Sequence, residues 1–296
     1  MISRQEWRIL ESKVKLREAD EVSTKLRKAL TLVLLAVFLV SSGYVAWKLL
    51  DYQKGAQDYD DARETARIPT AQLHSDRPDA KPEGALYDPF EALGALDLGA
   101  LQSVNQEVVG WVEIPNTAVS YPILKAQNNE YYLNHTWKKD VSSVGAIFMD
   151  KQNDPEFGDF HTLLYGHNMK NGSMFGCLRS YRSADYWKSH PAVYVVDKNG
   201  VHQYDIFAAY EVGVQEIVYR GDVEQSGLQK QFLDFAARRS VISTGIAPQK
   251  DDQILTLSTC TGRGHATRWI IQAVRNDEAQ AVSQMTEELP DEAAAG

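Results

Sequence analysis

An uncharged apolar stretch near the start of the chain limits how the rest of it can fold. Residues 29–47 contain no charged side chain, and residues 30–40 are almost entirely Leu, Val, Ala and Phe. At a rise of about 1.5 Å per residue, a helix of this length nearly crosses a hydrocarbon layer of about 30 Å. Tyr44 and Trp47 lie at its far end, where aromatic residues favour the membrane interface. The pattern predicts one transmembrane helix over residues 29–50.

The charges on either side of this run predict its orientation. Basic residues are concentrated before it, with Lys25, Arg27 and Lys28 at its edge, whereas aspartates dominate after it. By the positive-inside rule, residues 1–28 are cytoplasmic and the chain after residue 50 is extracellular. The alternatives are a buried core helix and a cleaved signal peptide. The long charged leader and the lack of a small-x-small cleavage pattern disfavour the signal peptide.

Composition divides the remaining chain into three parts. Residues 51–86 are rich in charge and proline and have little apolar periodicity, which predicts an extracellular linker. Residues 87–276 have the apolar patterning of one folded domain, and residues 277–296 are acidic without any basic residue, which is typical of a disordered tail. A net charge of −9 and the lack of a broad basic patch argue against nucleic-acid binding.

The segment 87–276 is predicted to be mainly β. One or two short helices, beginning at Asp88 and Pro89, precede a series of short β-prone runs that favour an antiparallel sandwich or barrel. These runs are residues 110–114, 119–124, 145–149, 162–165, 192–197, 203–211, 254–258 and 268–274. Apolar residues at helical spacing predict one further helix, over residues 222–239, before the penultimate strand.

A thiol near a fixed cation is the main chemical signal. Residues 256–260 read Thr-Leu-Ser-Thr-Cys, and Arg268 follows shortly. A neighbouring positive charge favours the thiolate, and it also offers a partner for a developing oxyanion. If residues 254–260 form a strand, Cys260 ends its more polar face, together with Thr256 and Ser258. This indicates that Cys260 lies in a cleft; the alternative is a small buried core residue.

A nucleophilic cysteine needs a histidine that exchanges protons, and His167 is the candidate. It follows an apolar run where a strand opens into a polar loop. His161, at the other end of that strand, and His265, near the cysteine in sequence, are the competing histidines. Arg263 competes as the cation but lies between two glycines. The histidines show no ligand spacing that would predict a metal site.

These segments resemble one known family, the sortases, and specifically class B. The resemblance covers most of the chain from about residue 88 to about residue 274, in the family's order. It is carried by residues 109–115, 121–123, 129–134, 165–175, 256–260 and 268–271, of which 165–175 read Tyr-Gly-His-Asn-Met-Lys-Asn-Gly-Ser-Met-Phe. It implies a closed antiparallel or mixed β-barrel of about eight strands, with N-terminal helices and an inserted helix before the cysteine strand.

The resemblance also implies an activity, that of a membrane-anchored cysteine transpeptidase. Cys260 would be the nucleophile, His167 the general acid and base, and Arg268 the oxyanion partner. The substrates would be secreted proteins cleaved at a Thr-x bond of a C-terminal sorting signal, and the acceptor would be the amine of a lipid II-type peptidoglycan precursor. No metal or organic cofactor is implied. The residues that match the family's substrate groove are Asn129, Leu133 and Ser258.

Two other classes of protein remain compatible with these residues. An extracytoplasmic cysteine protease, or an L,D-transpeptidase-like enzyme, also uses a cysteine, a histidine and a cation. A non-catalytic binding module would present a peptide groove with Cys260 inert. Cys177 is the only other cysteine. It is predicted to be a free structural or surface thiol, and the alternative is a bridge to Cys260.

Overall fold

The computed structural model describes residues 4–68, 88–261 and 266–278. The chain forms two units, Met1–Gln53 and Lys54–Gly296. Most of the predicted acidic tail, the predicted linker from residue 69 to residue 86, and the competing residues Arg263 and His265 lie outside the described residues.

Within the described residues of the second unit, eight strands close into a mixed β-barrel, which confirms the predicted fold. The strands are β1 Val108–Glu113, β2 Ser120–Leu124, β3 Ile147–Met149, β4 His161–Tyr165, β5 Ala192–Asp197, β6 Gly200–Gly213, β7 Ile254–Cys260 and β8 Thr267–Arg275. Around the barrel they follow the order β1-β2-β3-β4-β7-β8-β6-β5. The pairings β2–β3 and β4–β7 are parallel, and the other pairings are antiparallel.

Short helices flank this barrel. The α-helices of the second unit after residue 88 are α2 Pro89–Gly94, α3 Leu98–Val104, α4 Ala184–Ser189 and α5 Gln229–Arg239. The 3-10 helices are Tyr131–Leu133, Gly176–Arg182 and Ile217–Tyr219. Helix α2 begins as its sequence predicts, because the Asp88 carboxylate accepts a hydrogen bond from the Phe90 backbone N–H at 2.9 Å and Pro89 occupies the first turn.

The inserted helix before the cysteine strand is present, but it is shorter than predicted. Helix α5 begins at Gln229 rather than at residue 222. Gly227 has a φ of +63°, which a right-handed helix cannot contain. Upstream of it, the Asp222 carboxylate accepts hydrogen bonds from Ser226 and Arg220 in a separate turn. Local side-chain bonds therefore replace the first helical turns of the prediction.

Strand β7 separates two apolar clusters. Leu255 and Leu257 belong to the main core of the barrel. Ile254 belongs to a second cluster, which contains Phe232 of α5 and Ile270 of β8. Because side chains alternate along a strand, Cys260 lies on the face of Ile254, away from the main core. The predicted alternation along this strand is thus present.

Helix α1 (Arg4–Thr65) contains the apolar stretch. Its segment Lys25–Thr65 is long and apolar enough, by length and composition, to cross a membrane. The large apolar side chains of residues 30–40 are exposed within the first unit. A helix that is apolar on all sides has no polar face to turn to water, so this segment is a candidate membrane anchor.

Residues 51–65 are helical, whereas the sequence predicted a linker there. Helix α1 continues to Thr65, and residues from Lys54 onward belong to the second unit. A narrow stripe of small and aromatic side chains runs along this segment: Gly55, Tyr59, Ala62 and Ala66. The last three are buried in the main core. Charged residues flank the stripe and hide it from composition, so the folded unit begins near Lys54 rather than near residue 87.

Close packing and polar bonds hold this segment within the second unit. A Cβ on Gly55 would come within 2.6 Å of Val144 Cγ2, so only glycine allows this approach. Trp137 Nε1 donates to the Asp58 carbonyl at 2.6 Å, and Lys138 Nζ lies 2.6 Å from Asp61 Oδ2. Buried apolar surface and paired donors both stabilise the contact.

A chain that begins at Asp88 should therefore be less stable than one that begins at Lys54. Removing the segment exposes the core surface that Tyr59 and Ala62 cover. We expect a loss of about 3 kcal/mol, which lowers the melting temperature by about 10 °C in a domain of this size. Thermal unfolding of the two chains, followed by tryptophan fluorescence, measures the difference. Equal melting temperatures would show that residues 54–68 contribute nothing to the fold.

Candidate active site

Three adjacent strands bring the predicted catalytic residues to one end of the barrel. Strand β7 pairs in parallel with β4 and antiparallel with β8. Cys260 ends β7, and its cross-strand partner is Arg268 at the start of β8. His167 follows the end of β4 by two residues, and Tyr165 pairs with Ser258, so His167 is level with Cys260. Directly opposed residues of an antiparallel pair point to the same face, with Cα atoms about 5 Å apart.

Hydrogen bonds extend the pairing of β4 and β7 beyond the end of β4. The Gly166 N–H donates to the Ser258 carbonyl at 3.1 Å, and the Thr259 hydroxyl donates to the Gly166 carbonyl at 2.8 Å. Asn168 Nδ2 then donates to the Cys260 carbonyl at 2.7 Å. The residues on both sides of His167 are therefore attached to the strand that carries the thiol.

The imidazole of His167 is half-buried and has contacts on two sides. Its Nε2 lies 2.6 Å from the Leu133 carbonyl oxygen. A carbonyl only accepts, so Nε2 carries the hydrogen of this bond and Nδ1 is left to exchange a proton. The ring also packs on Gly145, where an added Cβ would lie 2.8 Å from His167 Cδ2. Its own carbonyl accepts from the Phe175 N–H at 2.9 Å.

Arg268 supplies positive charge at the end of the barrel that carries Cys260. Its guanidinium Nη1 donates to the Thr267 carbonyl at 3.0 Å. Burial raises the pKa of Tyr219 to about 12, against the opposing effects of a bond to Ser258 and of the Arg268 charge. Burial also raises the pKa of Tyr165, which the Arg268 charge again opposes. Both phenols therefore stay protonated beside the cation.

Two of the predicted substrate-groove residues have polar groups that are already paired. Ser258 is buried, and its Oγ lies 2.9 Å from the Tyr219 hydroxyl. Asn129 donates from Nδ2 to Asp150 Oδ2 at 2.8 Å and accepts at Oδ1 from the Lys151 N–H at 2.7 Å. A peptide that binds these side chains has to share or replace those bonds.

Leu133, the third predicted groove residue, presents its side chain to solvent, with 45% of its surface exposed. It ends the 3-10 helix Tyr131–Leu133. Its carbonyl accepts the hydrogen of His167 Nε2. Leu133 thus offers an apolar side chain next to the histidine, and its backbone orients the imidazole.

The competing residues have other environments. His161 begins β4, at the opposite end of that strand from His167, and its Nε2 lies 2.8 Å from the Thr256 hydroxyl. Burial lowers the pKa of His161 to about 3, so it stays neutral in the physiological range. Cys177 and Cys260 are both free thiols. Among the residues that the structure describes, no group of three His, Cys, Asp or Glu could hold a metal ion.

Sequence reasoning missed several residues that shape the site. Asn168 lies inside the motif that identified His167, and its position next to the histidine was the available signal. Tyr219 lies between strands, in the 3-10 helix Ile217–Tyr219, where no pattern distinguishes it from other surface aromatics. Gly145 carries the one signal that glycine gives, a φ of +64°, which is visible only in three dimensions.

Comparisons with known proteins agree with this geometry. The family described as "Sortase domain" matches residues 112–276. A protein named Sortase B from Listeria monocytogenes is 32% identical over 240 residues, which are 81% of this chain and 92% of the relative. A Sortase B from Staphylococcus aureus is 33% identical over 161 residues, 54% of this chain and 66% of the relative.

Solved structures lead to the same family. The Staphylococcus aureus sortase B-substrate complex matches with a TM-score of 0.63 and 25% identity over 77% of this chain and 98% of that chain. Sortase B from Listeria monocytogenes matches with a TM-score of 0.54 and 35% identity over 59% of this chain and 97% of that chain. With its closed eight-stranded barrel and the cysteine, histidine and arginine at one end of it, the chain belongs to the sortase family.

Proposed function

We propose that this sortase is a class B, membrane-anchored cysteine transpeptidase. It cleaves a C-terminal sorting signal of secreted proteins at a Thr-x bond and transfers the acyl group to the amine of a lipid II-type cell-wall precursor. The observation that carries the proposal is the cross-strand pairing of Cys260 with Arg268, level with His167. The apolar segment of α1 supports the anchor, with an extracellular catalytic domain as its flanking charges predict.

In the proposed reaction, the Cys260 thiolate attacks the carbonyl carbon of the threonine. Arg268 stabilises the negative oxygen of the tetrahedral intermediate. The C–N bond breaks as protonated His167 gives a proton to the departing amine, which leaves a thioester on Cys260. An amine then attacks the thioester and passes a proton to His167. The new amide bond forms and the thiolate is restored.

The histidine's bond to Leu133 suits this role. Because Nε2–H is engaged by the Leu133 carbonyl, the ring keeps one orientation while Nδ1 gains and loses the catalytic proton. Relatives supply the classes of reactant: one solved structure is a sortase B-substrate complex, and another is a Sortase B complexed with triglycine. The exposed Leu133 side chain offers an apolar contact for the peptide, and Asn129 and Ser258 line the same proposed groove.

A peptide assay separates the candidate activities. We expect the full chain in detergent to cleave a quenched peptide of Asn-Pro-x-Thr-x or Ser-Pro-x-Thr-x type, and to give an amine-linked product when an amine nucleophile is added. Mass spectrometry identifies the products. Release of the hydrolysed acid alone at every amine concentration would make the protein a protease, and no cleavage with an unreactive thiol would make it a binding module.

Substitution of the three residues should affect different steps. Cys260→Ala abolishes the thioester, since it removes the sulfur that forms it. His167→Ala and Arg268→Ala each lower turnover by about a hundredfold or more, as the loss of a general acid or of an oxyanion donor typically does. Single-turnover kinetics with the same peptide measure each effect. Full activity in Arg268→Ala would remove the oxyanion role from this residue.

The two thiols should differ in reactivity. Burial raises the pKa of Cys177 to about 11, and only the thiolate is nucleophilic. At pH 8 Cys177 is therefore protonated and reacts slowly, and its reactivity rises only as the pH approaches 11. We expect iodoacetamide to label Cys260 first in the folded protein, as peptide mapping would show. Preferential labelling of Cys177 would contradict this assignment, and Cys260→Ala controls for labelling elsewhere.

A further inference from the structure

We propose that Tyr59 of helix α1 is a positioning residue for His167. Its hydroxyl holds the backbone of Gly145, and the catalytic imidazole packs on that backbone. The inference rests on the proposed role of His167 as the acid and base. It assigns to the segment before the predicted linker a part in catalysis, in addition to its part in the fold.

The first contact is the bond from Tyr59 to Gly145. The Tyr59 hydroxyl donates to the Gly145 carbonyl oxygen at 2.5 Å, in a buried environment. Tyr59 is 2% exposed, and its ring meets that of Tyr121 edge-on, with centroids 5.1 Å apart. Burial raises the pKa of Tyr59, so the phenol keeps its hydrogen and the bond persists at any ordinary pH. A buried aromatic held on two sides is a fixed point for the backbone that it contacts.

The second contact is between Gly145 and the imidazole. An added Cβ on Gly145 would lie 2.8 Å from His167 Cδ2 and 2.9 Å from Nε2, closer than real Cβ atoms approach. The ring therefore lies directly against this backbone. Gly145 also has a φ of +64°, a conformation that favours glycine. Both observations require a residue without a side chain beneath the histidine.

The hydrogen-bond partner of the imidazole depends on the same segment. The Ala146 N–H, next to Gly145, donates to the Tyr132 carbonyl at 2.9 Å. Tyr132 precedes Leu133, whose carbonyl accepts from His167 Nε2. A movement of residues 145 and 146 would thus shift both the surface under the ring and the acceptor of its nitrogen. The bond from Tyr59 restrains the two together.

A second path leads from Tyr59 to the other side of the histidine loop. The Tyr121 ring contacts Tyr59, and the Tyr121 hydroxyl accepts from the Met174 N–H at 2.9 Å. Met174 pairs with Asn168 in an isolated β-bridge, directly after His167. The loop that carries the histidine is therefore restrained from both directions by contacts that include the Tyr59 ring or hydroxyl.

The test is Tyr59→Phe in the full chain, in detergent, with the peptide and amine assay. This change keeps the ring and its contact with Tyr121 but removes the bond to Gly145. We expect kcat to fall about tenfold with KM unchanged within about twofold, because a small misplacement of a catalytic group slows the chemical step more than it weakens binding. A wild-type kcat in Tyr59→Phe overturns the proposal.

Arg63→Met is the matched control. Arg63 lies one turn further along α1, and its Nη1 donates to the Ser120 carbonyl at 3.2 Å. Its loss removes a bond of the same helix segment without touching Gly145. We expect it to lower the melting temperature at least as much as Tyr59→Phe while kcat stays at the wild-type value. An equal loss of kcat in both variants would make the effect of Tyr59 one of general stability, against the proposal.

A double substitution shows whether Tyr59 acts through the histidine. We expect Tyr59→Phe to leave the slow turnover of His167→Ala unchanged, since the group that it positions is already absent. A further tenfold loss in the double variant contradicts the proposal. Gly145→Ala, which places a methyl group against the ring, should lower kcat by about a hundredfold. If the wild type transfers no acyl group at all, the proposed function itself fails, which is a different result from an active wild type with an unaffected Tyr59→Phe.

Discussion

The register of β7 between β4 and β8 determines most of the site. Leu255 and Leu257 lie in the main core, so a slip by one residue would move them out of it and turn Cys260 toward it. The cost of exposing two leucines therefore fixes the direction of the thiol. The same register places Arg268 opposite Cys260. Two of the three reacting groups are thus oriented by the ladder of the barrel itself.

The histidine is placed by a different kind of structure. His167 lies beyond the end of β4, where the strand no longer orients its side chain. Its position comes instead from separate contacts: the Leu133 carbonyl, the backbone of Gly145, and the bonds of Gly166 and Asn168 to β7. Each contact is supported by another part of the fold. The group that must gain and lose a proton is consequently the one whose placement depends on the most distant parts of the chain.

The sequence predicted what arises from local pattern and from motifs. Alternation along 254–260 gave the faces of the cysteine strand, and Asp88 with Pro89 gave the start of α2. It did not predict the inward face of α1, because the stripe that includes Tyr59 and Ala62 is narrow and lies among charged residues whose average dominates composition. It also did not predict the bonds of Asn129 and Ser258, whose partners Asp150 and Tyr219 come from elsewhere in the chain. Such contacts depend on how remote segments pack, and no local window contains both partners.

The two cysteines show how this fold separates reactivity from mere presence of a thiol. Cys177 lies in the 3-10 helix Gly176–Arg182 and packs against the main core, where burial raises its pKa. Cys260 lies on the opposite face of β7 from the core leucines, opposite a guanidinium. A disulfide between them would consume the nucleophile, and each is held by a different element on a different side of the sheet. Because a thiol in apolar packing resists ionisation and a thiol beside a cation favours it, the core keeps one sulfur inert, and the end of the barrel leaves the other able to react.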